Sequence, residues 1–445
     1  MKLKYILLVV AAVVCMRTTA AGQCLNFDGE GATSVGVYIK DIGSGEVMVD
    51  HNSELSLTPA SVMKAITTAS ALSVLNPDSC FSTPVVLRGS KGPSGTWSGD
   101  LVVRAVADPT LESNSFKNNL GFADRIVSAL KAKGITRITG AVVVEGSLSD
   151  AGPLVQWEIE DVVWPYGAGL FAFNYRDNSA TLYPNTGKTR PEVPGLKVTV
   201  RRQDGPNNLI RGVNSNNILV YTRNPKDTRW ALDVSVPDPA AVFRAELKGK
   251  LSAAGITVGS KAVDAKGGET VLLRQKSPRF SEIMRNLMIH SDNLFAEGML
   301  RSIAPGASRK AAIKREKELW ATRGINTSCT LINDGSGLTR ANRLSPRFIG
   351  DVLEWMAKSD RATLYASFFP KAGREGTLKS FLKDTRLEGR VALKTGSVSS
   401  VQCYAGYVLD DALKPTHVVV IMVNGFFCPR REVRRGAEEL LLKNF

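Results

Sequence analysis

Three short runs in this 445-residue chain bring together residue types that can do chemistry. Ser61-Val62-Met63-Lys64 sets a hydroxyl and an amine three positions apart. On a helix those positions share a face, so a neutral Lys64 could take the Ser61 proton and leave a nucleophilic oxygen. Ser291-Asp292-Asn293 offers a second hydroxyl and an amide. Lys394-Thr395-Gly396 offers a cation and a hydroxyl for a carboxylate, and Gly396 lets the backbone come close to a ligand. Each run alone is weak. Ser-x-x-Lys recurs at 128–131 and 380–383, and Ser215-Asn216-Asn217 is another Ser-x-Asn. Ser291 alone reads as a polar turn between helices, and Lys394 alone as an edge-strand lysine.

The elements around these runs give them positions. Leu57-Thr58-Pro59 leads into 60–75, rich in Ala, Met, Leu and Ile. This reads as a buried helix with Pro59 in its first turn, which puts Ser-x-x-Lys at a helix start. Ahead of it, 33–40 and 46–50 alternate apolar and polar around Gly43-Ser44-Gly45, as a β-hairpin does. Residues 84–275 differ in texture. Short strand-like runs at 101–106, 141–144, 196–201, 218–222 and 231–236 are broken by Gly, Pro and Asn. Helical patterns at 122–133 and 240–254 each run into a glycine, Gly134 and Gly255. From about 278 the pattern is helical at 280–301, 309–323 and 346–358. Strands follow at 390–394, 401–409 and 417–424, then an amphipathic helix at 431–442. Lys394 therefore lies on a strand.

With 43% hydrophobic and 22% charged residues the chain is too apolar and too mixed in charge to be disordered. Length suggests roughly three domains. Lys2 and Lys4 precede an apolar run and then Thr18, Thr19, Ala20 and Ala21, so residues 1–21 read as a secretory signal peptide. The expected protein is exported and periplasmic, soluble or peripherally associated with the membrane or cell wall. The formal net charge of +15 becomes +12 without residues 1–21. In an exported protein this favours anionic envelope polymers over nucleic acid, which is not expected as a partner. Five cysteines remain, Cys24, Cys80, Cys329, Cys403 and Cys428, an odd number with no framework spacing. His51, His290 and His417 are scattered, so no metal site and no cofactor is expected.

Ser-x-x-Lys, Ser-Asp-Asn and Lys-Thr-Gly in this order resemble the signature of penicillin-binding proteins and class A β-lactamases. Ser291 and Lys394 are 103 residues apart, as in that group, but Ser61 and Ser291 are 230 apart, far more than in a β-lactamase. The chain is similar to the class C low-molecular-mass penicillin-binding proteins, the penicillin-binding protein 4 type of D-alanyl-D-alanine carboxypeptidase/endopeptidase. These carry large domains between the first two motifs. Gly99-Asp100-Leu101, Asp108-Pro109-Thr110-Leu111, the 334–340 run Asp-Gly-Ser-Gly-Leu-Thr-Arg, Ala372-Gly373 with Gly376-Thr377-Leu378, and Ala405-Gly406-Tyr407 also match. Ala105-Val106-Ala107 departs from a Gly-rich family stretch, and His290 stands where a Lys is common.

The resemblance implies an α+β fold. Its transpeptidase domain, of the penicillin-binding-protein/serine β-lactamase-like kind, is an antiparallel sheet flanked by helices, with inserted mixed α/β and mostly β domains. The catalytic domain is expected from 22–83 and 276–445, with the inserts at 84–275 and a nested third domain at about 184–235. It also implies roles. Ser61 is the acylated nucleophile and Lys64 its base. Ser291 relays a proton to the leaving amine, Asn293 holds the substrate amide, and Lys394 and Thr395 bind the terminal carboxylate. Gly396 lies against the substrate, and the N–H groups of Ser61 and Ser397 form the oxyanion hole. Asp292 braces its loop. After Trp157, Asp161 and Tyr166 match an acid and an aromatic facing the site, with Asp161 for a substrate ammonium and Arg340 for a carboxylate. Peptidoglycan stem peptides are the implied partner and β-lactam antibiotics the implied inhibitors; a homodimer stays open. A serine β-lactamase or esterase on the same scaffold is an alternative, weakened by the long insert and the lack of a Glu-x-x-Leu-Asn run. A non-catalytic peptidoglycan-binding protein is another, weakened by the complete set of motif residues.

Overall fold

The computed structural model describes residues 24–445 except 214, 228, 265 and 266; the expected signal segment, 1–21, lies outside the described residues. The N-terminal hairpin forms β1 (Ser34–Asp41) and β2 (Val47–His51). The last quarter of the chain supplies β3 (Val391–Val398), β4 (Val401–Leu409) and β5 (Pro415–Asn424). They join in one antiparallel sheet of order β3-β4-β5-β1-β2. Lys394 lies opposite Ala405, and Ile421 lies between Tyr404 and Val37.

Side chains alternate across a strand, and here the alternation feeds two cores. Tyr38, Ala405, Tyr407 and Val420 pack against α1 (Met63–Val74), α2 (Phe280–His290) and α3 (Asn293–Ser302). Val37, Leu393, Tyr404 and Ile421 pack on the other face, against Val433, Ala437 and Leu441 of α4 (Arg430–Asn444). Every residue of β4 is buried, so the sheet is the middle of three layers. Strand β3 is an edge. The expected antiparallel sheet flanked by helices is present.

Between α1 and α2 the chain builds a six-stranded sheet of mixed direction and two three-stranded sheets. The 122–133 and 240–254 patterns are helices Phe122–Ala132 and Pro239–Ala253, with Phe122 stacked on Phe243 at 5.4 Å between centroids. Several strands escaped the sequence reading, the longest being Ser82–Lys91 and Glu269–Lys276, which pair antiparallel. The first buries Thr83, Val85, Leu87 and Gly89 on one face, but Pro84 and Gly89 break its apolar pattern in the sequence, and the second is largely exposed.

The expected single helix over 280–301 is also corrected. It is two helices, broken where Ser291 adopts φ 61°. The cause is local: the Asp292 carboxylate accepts the Phe295 N–H at 2.8 Å and starts α3 afresh. Cys24, Cys80, Cys329, Cys403 and Cys428 are all unpaired. Among the described residues no helix is long and apolar enough to cross a membrane.

Candidate active site

Ser61 lies in a single 3₁₀ turn, Ala60–Val62, that runs directly into α1. Two glycines clasp this turn. A Cβ on Gly337, at φ 76°, would stand 1.9 Å from the Ala60 carbonyl oxygen. A Cβ on Gly396 would stand 2.5 Å from the Pro59 oxygen and 3.0 Å from the Ser61 nitrogen. Strand β3 and the 334–340 loop reach the nucleophile only because neither carries a side chain there.

Lys64 is fully buried on the first turn of α1. Its Nζ is 2.6 Å from Asn293 Oδ1, 2.6 Å from the Ser336 carbonyl oxygen and 2.9 Å from Ser61 Oγ. A neutral amine has two N–H bonds and one lone pair. The two carbonyl oxygens take both N–H bonds, so the lone pair faces the Ser61 hydroxyl, which donates to it. Burial pushes the Lys64 amine down to about 8, against the opposing pull of Asp334, Asp292 and Glu297. That is the range a general base needs near neutral pH.

The Ser336 carbonyl is held in place from behind. Glu297, itself buried, accepts the N–H groups of Gly335 and Ser336 at 2.9 and 3.0 Å. Asp334 accepts from Gly337 N–H and Thr339 N–H, each at 2.8 Å, and from Trp157 Nε1 at 2.8 Å. Trp157 therefore braces this loop. Neither Ser336 nor Glu297 was singled out from sequence. A carbonyl carries no residue signature, and Glu297 reads as one more helical acid, although its place four residues after Asn293 puts both on one face of α3.

Lys394, buried on β3, donates to Ser291 Oγ at 3.0 Å and to its neighbour's Thr395 carbonyl at 2.7 Å. Burial and the nearby Lys64 hold its amine well below the ordinary lysine range. The break at Ser291 makes this contact: the same residue that ends α2 turns its hydroxyl to β3, and Asn293 opens α3 facing Lys64. Asp292, expected to brace the loop, caps α3, and burial pushes its carboxyl up to about 6.

Ser61, Ser291, Thr395 and Ser397 share a cleft of about 470 Å³. Thr395 Oγ1 donates to Thr377 Oγ1 at 2.8 Å, and Ser397 Oγ donates to Gln402 Oε1 at 2.8 Å. The side chains of Asp161, Tyr166 and Arg340 stand apart from this bonded core, which Tyr166 touches only through its backbone. Tyr166 donates its hydroxyl to Asp161 at 2.9 Å, and its carbonyl accepts the Asn293 side-chain N–H at 2.9 Å. Burial raises the Asp161 carboxyl, while Tyr166 and Arg340 lower it. Arg340 lies 3.4 Å from Glu158 and makes no hydrogen bond or ion pair with Asp161 among the described residues.

A family model described as the D-Ala-D-Ala carboxypeptidase 3 (S13) family matches residues 25–440. The chain belongs to that family. It is a peptidase, a hydrolase of the D-Ala-D-Ala carboxypeptidase class. This S13 member is 28% identical over 416 residues to a D-alanyl-D-alanine carboxypeptidase of Actinomadura sp. (strain R39), covering 85% of this chain and 76% of that protein. It is 24% identical to D-alanyl-D-alanine carboxypeptidase DacB of Haemophilus influenzae, covering 88% and 86%. The crystal structure of penicillin binding protein 4 from Haemophilus influenzae shares its fold, with TM-score 0.80 over 95% of this chain and 98% of that one at 23% identity. The same protein has been solved complexed with a novel β-lactam.

Proposed function

We propose that this S13 member cleaves the D-Ala-D-Ala end of peptidoglycan stem peptides, or an equivalent D-amino-acid cross-link, through an acyl-enzyme on Ser61. The observation that carries the reading is the Lys64 amine, with two carbonyl acceptors at 2.6 Å and Ser61 Oγ at 2.9 Å on its remaining valence. Ser61 Oγ attacks the penultimate carbonyl carbon as its proton passes to Lys64 Nζ. The carbonyl oxygen takes the negative charge between the N–H groups of Ser61 and Ser397. The C–N bond then breaks. The leaving amine takes a proton from Ser291, whose hydroxyl Lys394 orients from 3.0 Å, and Ser291 is resupplied with the proton that Lys64 took from Ser61, so Lys64 is neutral again and can take a proton from the attacking water. Water hydrolyses the ester along the reverse route. Thr395 and Lys394 hold the terminal carboxylate and Asn293 the substrate amide. Asp161, Tyr166 and Arg340 receive the donor side chain.

The strained amide of a β-lactam mimics the same carbonyl, so it acylates the same oxygen and has no diffusible leaving strand. We further read residues 84–275 as inserted domains that supply the Asp161–Tyr166 wall, and the work as periplasmic, on the basic and apolar character of residues 2–16. The test is labelling with penicillin, followed by mass mapping. The expected result is one adduct, on the peptide holding Ser61, and none on a Ser61→Ala protein. Covalent labelling that survives Ser61→Ala overturns the mechanism.

A further inference from the structure

The cleft that holds Ser61 does not end at the terminal-carboxylate site. From Thr395 and Thr377 it continues past Phe381 to Arg430, Arg431 and Arg434 at the start of α4, and no acidic residue lines it. Arg431 and Arg434 also line a second hollow, of about 290 Å³, that carries Lys383 and the Glu438 paired with Arg434. The shared arginines make the two hollows one groove leading away from the nucleophile along α4.

The arginines are not equivalent. Arg430 is occupied by the carbonyls of Val398 and Val401 and by Gln402, at 2.8 to 3.0 Å, and so holds β3 and β4 in place. Arg434 is paired with Glu438 at 3.2 Å and lies over the Phe381 ring. Arg431 is exposed and has no hydrogen-bond or ion-pair partner among the described residues. An unpaired guanidinium presents a planar fork of donors that matches a carboxylate. By contrast, Arg340 is accompanied by acids, Glu158 at 3.4 Å and the nearby Asp161.

We propose that this groove is the subsite for the leaving strand, and that Arg431 selects leaving groups carrying a carboxylate beyond the one at Thr395. The inference rests on the acyl-transfer reading above. When a single D-alanine leaves, its one carboxylate stays at Thr395 and the groove is empty. When a cross-link is cut, the departing peptide continues along α4, and its further carboxylate meets Arg431.

The experiment compares kcat/KM for two substrates on the full chain: a pentapeptide ending in D-Ala-D-Ala, and a cross-linked dimer whose leaving peptide carries several carboxylates. Arg431→Ala is expected to lower the ratio of cross-linked to uncross-linked rates by about fivefold, and Arg431→Glu by about tenfold or more, as for a rim charge pair. The loss shrinks at high salt. Amidating the carboxylates of the leaving peptide reads the same contact on unaltered protein. It should lower the wild-type rate by a like factor and add nothing to Arg431→Ala. An unchanged ratio in the variants, or an equal effect of amidation with and without Arg431, overturns the subsite. Penicillin labelling separates the two ideas: a protein that labels and cuts the pentapeptide but shows no ratio change has lost only the subsite, whereas one that neither labels nor cuts has lost the acyl-enzyme reading.

Discussion

Lys64 and Lys394 are wholly enclosed, and every N–H of Lys64 points at a named oxygen, whereas the side chains of Asp161, Tyr166 and Arg340 stand partly in water, each with one side-chain bond or ion pair. The enclosed pair come from α1 and β3, elements locked on both sides by packed side chains. The rim residues come from irregular chain in 157–167 and from the end of the 334–340 loop. The difference follows from what each region does. A base must be desolvated to be neutral and fixed to be aimed. A side-chain pocket works by charge and can tolerate water.

The largest effect should come from breaking the enclosed side. Lys64→Ala is expected to lower penicillin acylation by about a thousandfold or more, because the base is lost while Ser61 remains; stopped-flow labelling measures it. Lys64 accepts a proton only when neutral, so wild-type acylation should climb with pH and level off above about 8. Glu297→Gln sharpens the same side. The amide oxygen can still accept from Gly335 and Ser336, but a charge that raises the Lys64 amine is removed, so the midpoint of the pH profile should move down. A midpoint that stays or moves up would mean Glu297 acts only as a brace. Next in size is Gly396→Ala, whose Cβ must displace the Pro59 carbonyl or push β3 off the nucleophile. A fall in acylation of about a hundredfold is expected, with a smaller change in melting temperature, since β3 is an edge. The smallest effect belongs to the rim. Arg340→Ala should raise KM for peptides with a carboxylate-bearing side chain by up to about tenfold and leave penicillin acylation nearly untouched.

What the sequence made legible follows the same division. The candidate reacting residues were readable as a set because the proposed chemistry demands particular types in a particular order, and the structure places Ser61, Lys64, Ser291 and Lys394 within bonding distance of one another in two pairs. The antiparallel sheet was readable because β3, β4 and β5 each alternate or run apolar. The Ser291 break was missed as an element boundary because helical periodicity continues through it on both sides, and only the Asp292 cap betrays it. Strands Ser82–Lys91 and Glu269–Lys276 were missed because they find each other across some 180 residues and one is mostly wet. The Ser336 carbonyl was invisible for a deeper reason. It acts through the backbone, and any residue in its place supplies the same oxygen.

The clasped turn at Ser61 also ties that residue to chain that follows much later. Ala60 is held at φ 46°, a conformation that a non-glycine residue seldom keeps unsupported, and its supports are Gly337 and Gly396. Ser61 therefore leaves the ribosome early, and the glycines that shape its turn follow only after more than two hundred further residues. A nascent or truncated chain has a serine and a lysine but no reactive pair. On the acyl-enzyme reading proposed above, the Ser61–Lys64 pair therefore depends on the fold being complete.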